Sequence, residues 1–434
     1  MLLSPNSAHS PPHLVKKIMF KLTPLWFFIC LIVSSTFCLA EQQHIVDHND
    51  PISIDPQLTL AEFVDITLNN YPDASIIPAL QQQVSALKQQ GNSWLAGALT
   101  ASMYYRDDLV SDDTGNREIE GAVEVPLWNW GQREAGQKLA RQTEITNKLK
   151  TKVIKWQVAG LVRSSLWDLA LEKQRFLQAV KAYEVTEKLQ ATIKRRVDLG
   201  DLPRADYLLA KSELLQKKSA LIHSEAEMMH SRKQLSTLTE LQRIPANFQE
   251  KQSPLTDFSK HPTLDAANAL IERKKRQLDW VKSKGSGQSS FALGGKSERG
   301  SRDERDIESM TFSLSVPFGG DAHLAPEIAS SNLEYSQAVI QRNQLFRTLE
   351  QTLHEANHDL EVDRAELGIA NELKTIATSH LKMARLSFDS GETNLMDFLK
   401  VQTRTQEAIQ NASEKNIILQ RDIALYNQAV GILP

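Results

Sequence analysis

The sequence predicts a mainly α chain with a smaller β component. The expected architecture is a long helical-hairpin barrel, a coiled-coil tunnel, plus a four-stranded contribution per chain to an oligomeric transmembrane β-barrel. Three observations predict it. The stretch VDLGDLPRADYLLAK, residues 197–211, returns as SFDSGETNLMDFLKV, residues 387–401; Gly200 and Gly391 stand 191 residues apart, and Asp206 and Asp397 keep that spacing. Each glycine lies between two long runs of helical periodicity, so each reads as the turn of a helical hairpin and the stop before its return helix. In each unit a period of 3.6 also gives way to a period of 2 over two runs of about ten residues, the length of a strand that crosses a bilayer.

Composition agrees with long, exposed helices rather than one thick core: the 434 residues are 41% hydrophobic and only 6% aromatic. A formal charge of -3 gives no reason to expect a nucleic-acid partner. Lys16, Lys17 and Lys21 precede the apolar run LWFFICLIV and a small-residue stretch ending at Ala40, which reads as a secretory signal over residues 1–40, with Met19 as a second candidate start. Both cysteines, Cys30 and Cys38, lie inside it, so a mature chain carries no disulfide, thiolate nucleophile or cysteine metal site. Cys38 as a lipidated N-terminus is disfavoured by the bulky Phe37 before it.

The polar residues 41–56 read as a flexible leader. The first unit spans 57–241. It opens with a helix from Thr59 that Pro72 re-aims, then a β-hairpin over 93–127 in which Ile119, Val123, Val125 and Leu127 alternate with Glu118, Glu120 and Glu124. A helix follows from Gly131 to about Asp198, with Leu161, Leu166, Leu169 and Phe176 among its apolar set, and another runs from Pro203, well placed in a first turn, to about Leu241. The proline-broken residues 242–261 read as a joint between the units. The second unit, 262–434, repeats the order: a short helix to Val281, a hairpin over 288–318 with a charged loop from Lys296 to Asp306, a long helix from about Pro326 to Phe388, and a last one from Asn394. Met310, Phe312, Leu314 and Val316 form the apolar face of its second strand. Four strands cannot close a barrel, and an open edge in hydrocarbon leaves backbone groups unpaired at several kcal/mol each, so several chains must pool their strands.

The duplicated order of helix, hairpin, long helix and long helix, the segments VPLWNWG and VPFGGD leading out of each second strand, and the glycine turns with Asp six residues on resemble the TolC family of outer-membrane channel proteins, over essentially the whole mature chain. The resemblance implies a homotrimer with a 12-stranded barrel in outer-membrane lipid, extending into the periplasm as a helical tunnel. It implies no enzyme activity and no cofactor. It also implies two partners, a periplasmic adaptor (membrane fusion) protein and an inner-membrane RND, ABC or MFS transporter, in an efflux or type I secretion pathway. On this resemblance the turns at Gly200 and Gly391 are where the adaptor docks, Asp397 belongs to a constricting acidic ring, Asp206 helps hold the closed state, and Phe388 takes the packing part of the lock. The pattern departs at Lys400 and Thr393, where a second ring carboxylate and a basic residue are expected.

Simpler roles exist for the same residues: the glycines reverse helices, and the aspartates are solvated. The strand energetics set Glu118, Glu120 and Glu124 toward a wet lumen and the apolar residues toward lipid. His354-Glu355-Ala356-Asn357-His358 matches H-E-x-x-H, a zinc-peptidase pattern, but it sits on a long polar helix with no cleft and reads as surface, with no metal assigned. Gly285-Ser286-Gly287 is not a phosphate loop, because no Gly-Lys-Ser/Thr follows. The basic run from Arg273 to Arg276 reads as a solvated helix face. A periplasmic coiled-coil scaffold is the rival to a channel; a barrel protein would fractionate with outer membranes, a scaffold with the periplasm.

Overall fold

The computed structural model describes residues 52–108, 110 and 114–434; the expected signal segment, Cys30, Cys38 and most of the leader lie outside the described residues. The elements run β1 (Ser53–Asp55), α1 (Leu60–Asn70), α2 (Ile76–Asn92), β2 (Thr100–Asp107), β3 (Arg117–Leu127), α3 (Gln132–Asp198), α4 (Arg204–Thr239), β4 (Arg243–Pro245), α5 (Pro262–Lys282), β5 (Ser289–Arg299), β6 (Ile307–Ser315), α6 (Asp321–Asp389) and α7 (Leu395–Ala429).

Local chemistry sets several of the boundaries. Thr59 and Glu62 form a capping box that starts α1, each side chain bonding the other's backbone N–H. Pro72 stops that helix after Asn70, and a 3-10 turn at 72–75 re-aims the chain into α2. Gly319, at φ +70°, turns the chain into α6, which therefore begins at Asp321 rather than at Pro326; the proline lies inside the helix.

Helices α3 and α6, of 67 and 69 residues, are each about 100 Å long at 1.5 Å per residue. No single core could cover such lengths, so each is paired along its course by shorter helices: α3 by α2 and α4 on one side and by α5 and α7 on the other, α6 by α5 and α7. The order across the unit is thus α2 and α4, then α3, then α5 and α7, then α6. Within α3, Val158, Val162, Leu166 and Leu169 are buried, while Leu161, expected with them, is exposed. Of the basic run on α5, Arg273, Lys274 and Arg276 are half-buried rather than solvated, because α5 lies between α3 and α6, while Lys275 is exposed. Lys274 pairs with Glu334 of α6 at 2.7 Å, and Arg276 with Glu272 and Asp279.

At one end, the four long strands form a single antiparallel sheet in the order β2-β3-β5-β6, so the hairpins of the two units join through β3 and β5. Two features differ from the sequence reading. Strand β2 begins at Thr100, seven residues into the hairpin expected over 93–127, and β5 continues through Lys296 to Arg299, so the expected charged loop shrinks to residues 300–306. Those charges stay in the strand because they are paired: Lys296 reaches Glu118 at 2.7 Å and Glu298 at 2.6 Å. The exit segment of β3 ties the units together as well, since the Asn129 amide donates to the carbonyls of Lys284 and Gly287 at 2.8 Å.

Near the middle of α3, the joint at residues 242–261 is stitched in place by distant partners. Strand β4 pairs in parallel with β1, so Ser53–Asp55 belongs to the folded unit and not to a leader. Arg163 of α3, 1% exposed, gives two 2.7 Å bonds to the Glu250 carboxylate and one of 3.0 Å to the Ile432 carbonyl. The Tyr426 hydroxyl donates to the Leu255 carbonyl at 2.7 Å, and the backbone N–H of Ser253 to the Asn427 side chain at 2.8 Å.

Candidate functional site

The candidate sites occupy the two ends of the long helices: the turns at 200 and 391, and the faces of the sheet. Both turns are built alike. Gly200 (φ +79°) and Gly391 (φ +81°) adopt the left-handed conformation that side-chain-bearing residues disfavour. Gly200 N–H bonds the Val197 carbonyl and Asp201 N–H that of Arg196; Gly391 N–H bonds the Phe388 carbonyl and Glu392 N–H that of Ser387. This paired pattern is the Schellman stop, which satisfies the last carbonyls of α3 and α6. A Cβ added at either glycine meets no atom within 4 Å, so both turns are open on their outer side.

Asp206 and Asp397 lie in the first turns of the return helices α4 and α7, where a negative charge meets the positive end of the helix dipole. Asn394 caps α7 by accepting from Asp397 N–H at 2.8 Å, and its amide donates back to the Asp397 carboxylate at 3.0 Å. Lys400, one turn on, pairs with Asp397 at 3.1 Å. Lys400 first, then Asn394, holds the Asp397 carboxyl below the usual carboxylate range. Asp397 is exposed and Asp206 half-buried, so both are available to solvent at the turn end of the hairpins.

Phe388 does not line an opening in this chain. It is 4% exposed, stacked on Phe398 with ring centroids 5.0 Å apart, inside a cluster with Leu189 and Ile193 of α3, Ala210 of α4, and Leu395 and Leu399 of α7. The reason is its position three residues before the Schellman glycine, on the face of α6 that α7 must cover. Thr393 bonds the Ser387 hydroxyl at 2.7 Å, within its own turn. The residue that links the two turns escaped the sequence reading: Arg196 bonds Asp201 at 2.6 Å and places its guanidinium 5.5 Å from the Phe388 ring centroid. The only sequence signal for it was a basic residue in the last turn of a helix, which is common at any helix end.

Strand register sorts the sheet into two faces. Paired residues share a face, so Tyr105, Ile119 and Ser297 align, as do Ala101, Val123, Leu293 and Phe312, and then Val125, Phe291 and Leu314. The other face carries Arg106 with Glu118 and Glu298, Tyr104 with Glu120 and Lys296, and Thr100 with Glu124 and Ala292. The three glutamates thus lie together on the polar face, next to Lys296 and Arg106, and the face is mixed in charge rather than purely acidic. Val316 lies one residue beyond the end of β6 at Ser315 and is exposed. The H-E-x-x-H residues His354, Glu355 and His358 are exposed on α6, and no group of three or more metal-ligating side chains occurs among the described residues.

No described helix is long and apolar enough to cross a membrane. No protein-family model matches the sequence, and no curated protein matches it in sequence. Solved structures do match in fold. The CmeC outer membrane channel of Campylobacter jejuni superposes with a TM-score of 0.68 at 14% identity, over 86% of this chain and 85% of its own. The outer membrane protein VceC of Vibrio cholerae gives 0.69 at 13% identity, over 86% and 96%. The open-state MtrE outer membrane channel of Neisseria gonorrhoeae gives 0.65 at 14% identity, over 88% and 90%. The fold of this chain is therefore that of TolC-type outer-membrane channels.

Proposed function

We propose that three copies of this chain close into a passive channel that spans the outer membrane and extends into the periplasm, opened there by an adaptor protein and an inner-membrane transporter. One observation carries the reading: the chain ends sideways in two unpartnered edges that match each other. In the sheet these are β2 and β6. Among the helices they are α4 and α6, each packed on its inner side only among the described residues.

Leu208, Leu215, Ile222 and Met229 stand 8, 15, 22 and 29 residues after Gly200; Met383, Ile376, Ile369 and Val362 stand 8, 15, 22 and 29 residues before Gly391. All but the half-buried Met229 are exposed in the single chain. Because α4 runs away from its turn and α6 runs toward its own, α4 of one copy and α6 of the next would pair antiparallel with these heptad rows level. Two different matching edges make a head-to-tail contact, which closes as a ring. Three copies supply twelve strands, and closure removes the open edges that lipid cannot tolerate.

In this reading the apolar sheet face meets lipid, and Glu118, Glu120 and Glu124 face the lumen. Asp397 of each copy forms an acidic ring at the periplasmic end, its charge offset by Lys400; Asp206 borders it, and the Gly200 and Gly391 turns are the adaptor's docking points. Acidic rings in narrow pores favour cations.

The test uses Ile222→Cys with Ile369→Cys in a mature chain otherwise free of cysteine. Oxidation is expected to give dimers and trimers on a non-reducing gel, from the outer-membrane fraction. A chain that stays monomeric after oxidation, or one released with the periplasm, would overturn the reading.

A further inference from the structure

The channel reading leaves one motif unused, the His354-Glu355-Ala356-Asn357-His358 run of α6. Packing sets its orientation. Leu353, Ala356 and Leu360 turn toward Tyr426 and Val430 at the far end of α7. His354 and His358 are both exposed, on the other side of the helix and one turn apart. Side chains four apart on a helix have Cβ atoms on the order of 5–6 Å from each other, and two imidazoles at that separation can share one metal ion, as the same spacing does in helical zinc sites. Glu355 is otherwise engaged, its carboxylate accepting from the Gln351 amide at 2.8 Å. With no group of three ligands among the described residues, neither a closed structural zinc site nor a catalytic centre is formed. What α6 does present is a two-point chelate with its remaining coordination positions open.

We propose that His354 and His358 together bind one divalent transition-metal ion of the zinc, nickel and copper(II) class on the outward face of α6. Imidazole suits these ions, whereas magnesium and calcium take oxygen ligands, so the site selects by ligand chemistry. The ion needs unprotonated imidazole nitrogens, and protons compete with it. The assignment stands on α6 alone and does not require the ring. In the ring, Lys233 and Thr237 of α4 are as far from Gly200 as His358 and His354 are from Gly391, so a neighbouring α4 would run beside the site.

The test is zinc titration by calorimetry on the full chain, free of any affinity tag, both assembled and dissociated by Ile369→Asp. One zinc per chain is expected in at least one form. His354→Gln or His358→Gln is expected to weaken it by more than roughly tenfold, the lower end of the loss caused even by groups one shell removed from a metal. Glu355→Gln and His323→Ala are expected to leave binding unchanged. Both histidines are exposed, so the variants keep the helix, which circular dichroism verifies. Absence of zinc binding in both forms, or equal binding by the His354→Gln/His358→Gln double variant, would overturn the site; loss of trimers with metal binding retained would bear on the ring alone.

Discussion

Arg163 ties the middle of α3 to the segment between the units and to the C-terminal segment. It is a buried charge held by a two-bond carboxylate pair, and removing one partner of such a pair strands the other. Arg163→Met is expected to destabilise the chain by about 3–5 kcal/mol, read as a lowered unfolding midpoint, while the double change with Glu250→Leu should recover most of that loss. His261 sets a pH dependence. It caps α5 by accepting from Thr263 N–H at 3.3 Å, packs edge-on against Trp156 at 4.7 Å, and is fully buried, which pulls its pKa from the ordinary 6.5 to about 4. The folded chain thus keeps the imidazole neutral where the unfolded chain takes up a proton. Its contribution is whole above pH 6.5 and is lost as pH falls from there toward about 4. His261→Asn keeps a capping side chain but removes the titration, so its unfolding midpoint should vary less than that of the parent across this window. Equal slopes for the two proteins would refute the assignment.

At the scale of the strand, the register turns a statement about alternation into a test of sidedness. Val123 is aligned with Ala101 and Leu293 on the apolar face, and Glu120 with Tyr104 and Lys296 on the polar one. An arginine at Val123 facing lipid costs roughly 2–4 kcal/mol near the bilayer midplane. At Glu120 it would meet Lys296, a cross-strand repulsion of about 0.2–1 kcal/mol. Val123→Arg should therefore reduce the heat-modifiable oligomer in outer membranes far more than Glu120→Arg, which should assemble and change conductance. Equal assembly would refute the lipid-facing assignment. The hairpins were legible in the sequence as alternation; the length of β5 was not, because Lys296, Glu298 and Arg299 look like loop residues until Glu118 of another strand is placed beside them.

For the whole molecule, the proposed docking of an adaptor falls on the ends most distant from the sheet. Substituting Gly200 and Gly391 together by arginine forces two left-handed positions, at about 1–2 kcal/mol each, yet meets open space at both. Oligomers should persist while crosslinking to an adaptor is lost; crosslinking that survives would remove the turns as the docking point. The outer rows on α4 and α6 belong to this scale too, since nothing within one chain explains exposed leucine and isoleucine at heptad spacing on both edges.

The sequence by itself determined the duplication, the two helical hairpins with their glycine turns and the paired strands, because periodicity, turn chemistry and repeat spacing are properties of neighbouring residues along one chain. Only the tertiary structure decided that β3 joins β5, that Phe388 lies inside a core, that Arg196 bridges the turns, and that Arg163 clamps Glu250 and the C-terminal segment. Those contacts join residues 87 to 269 positions apart or bury one face of a helix among several candidates. No local period records which distant partner a side chain meets; that choice is made by packing.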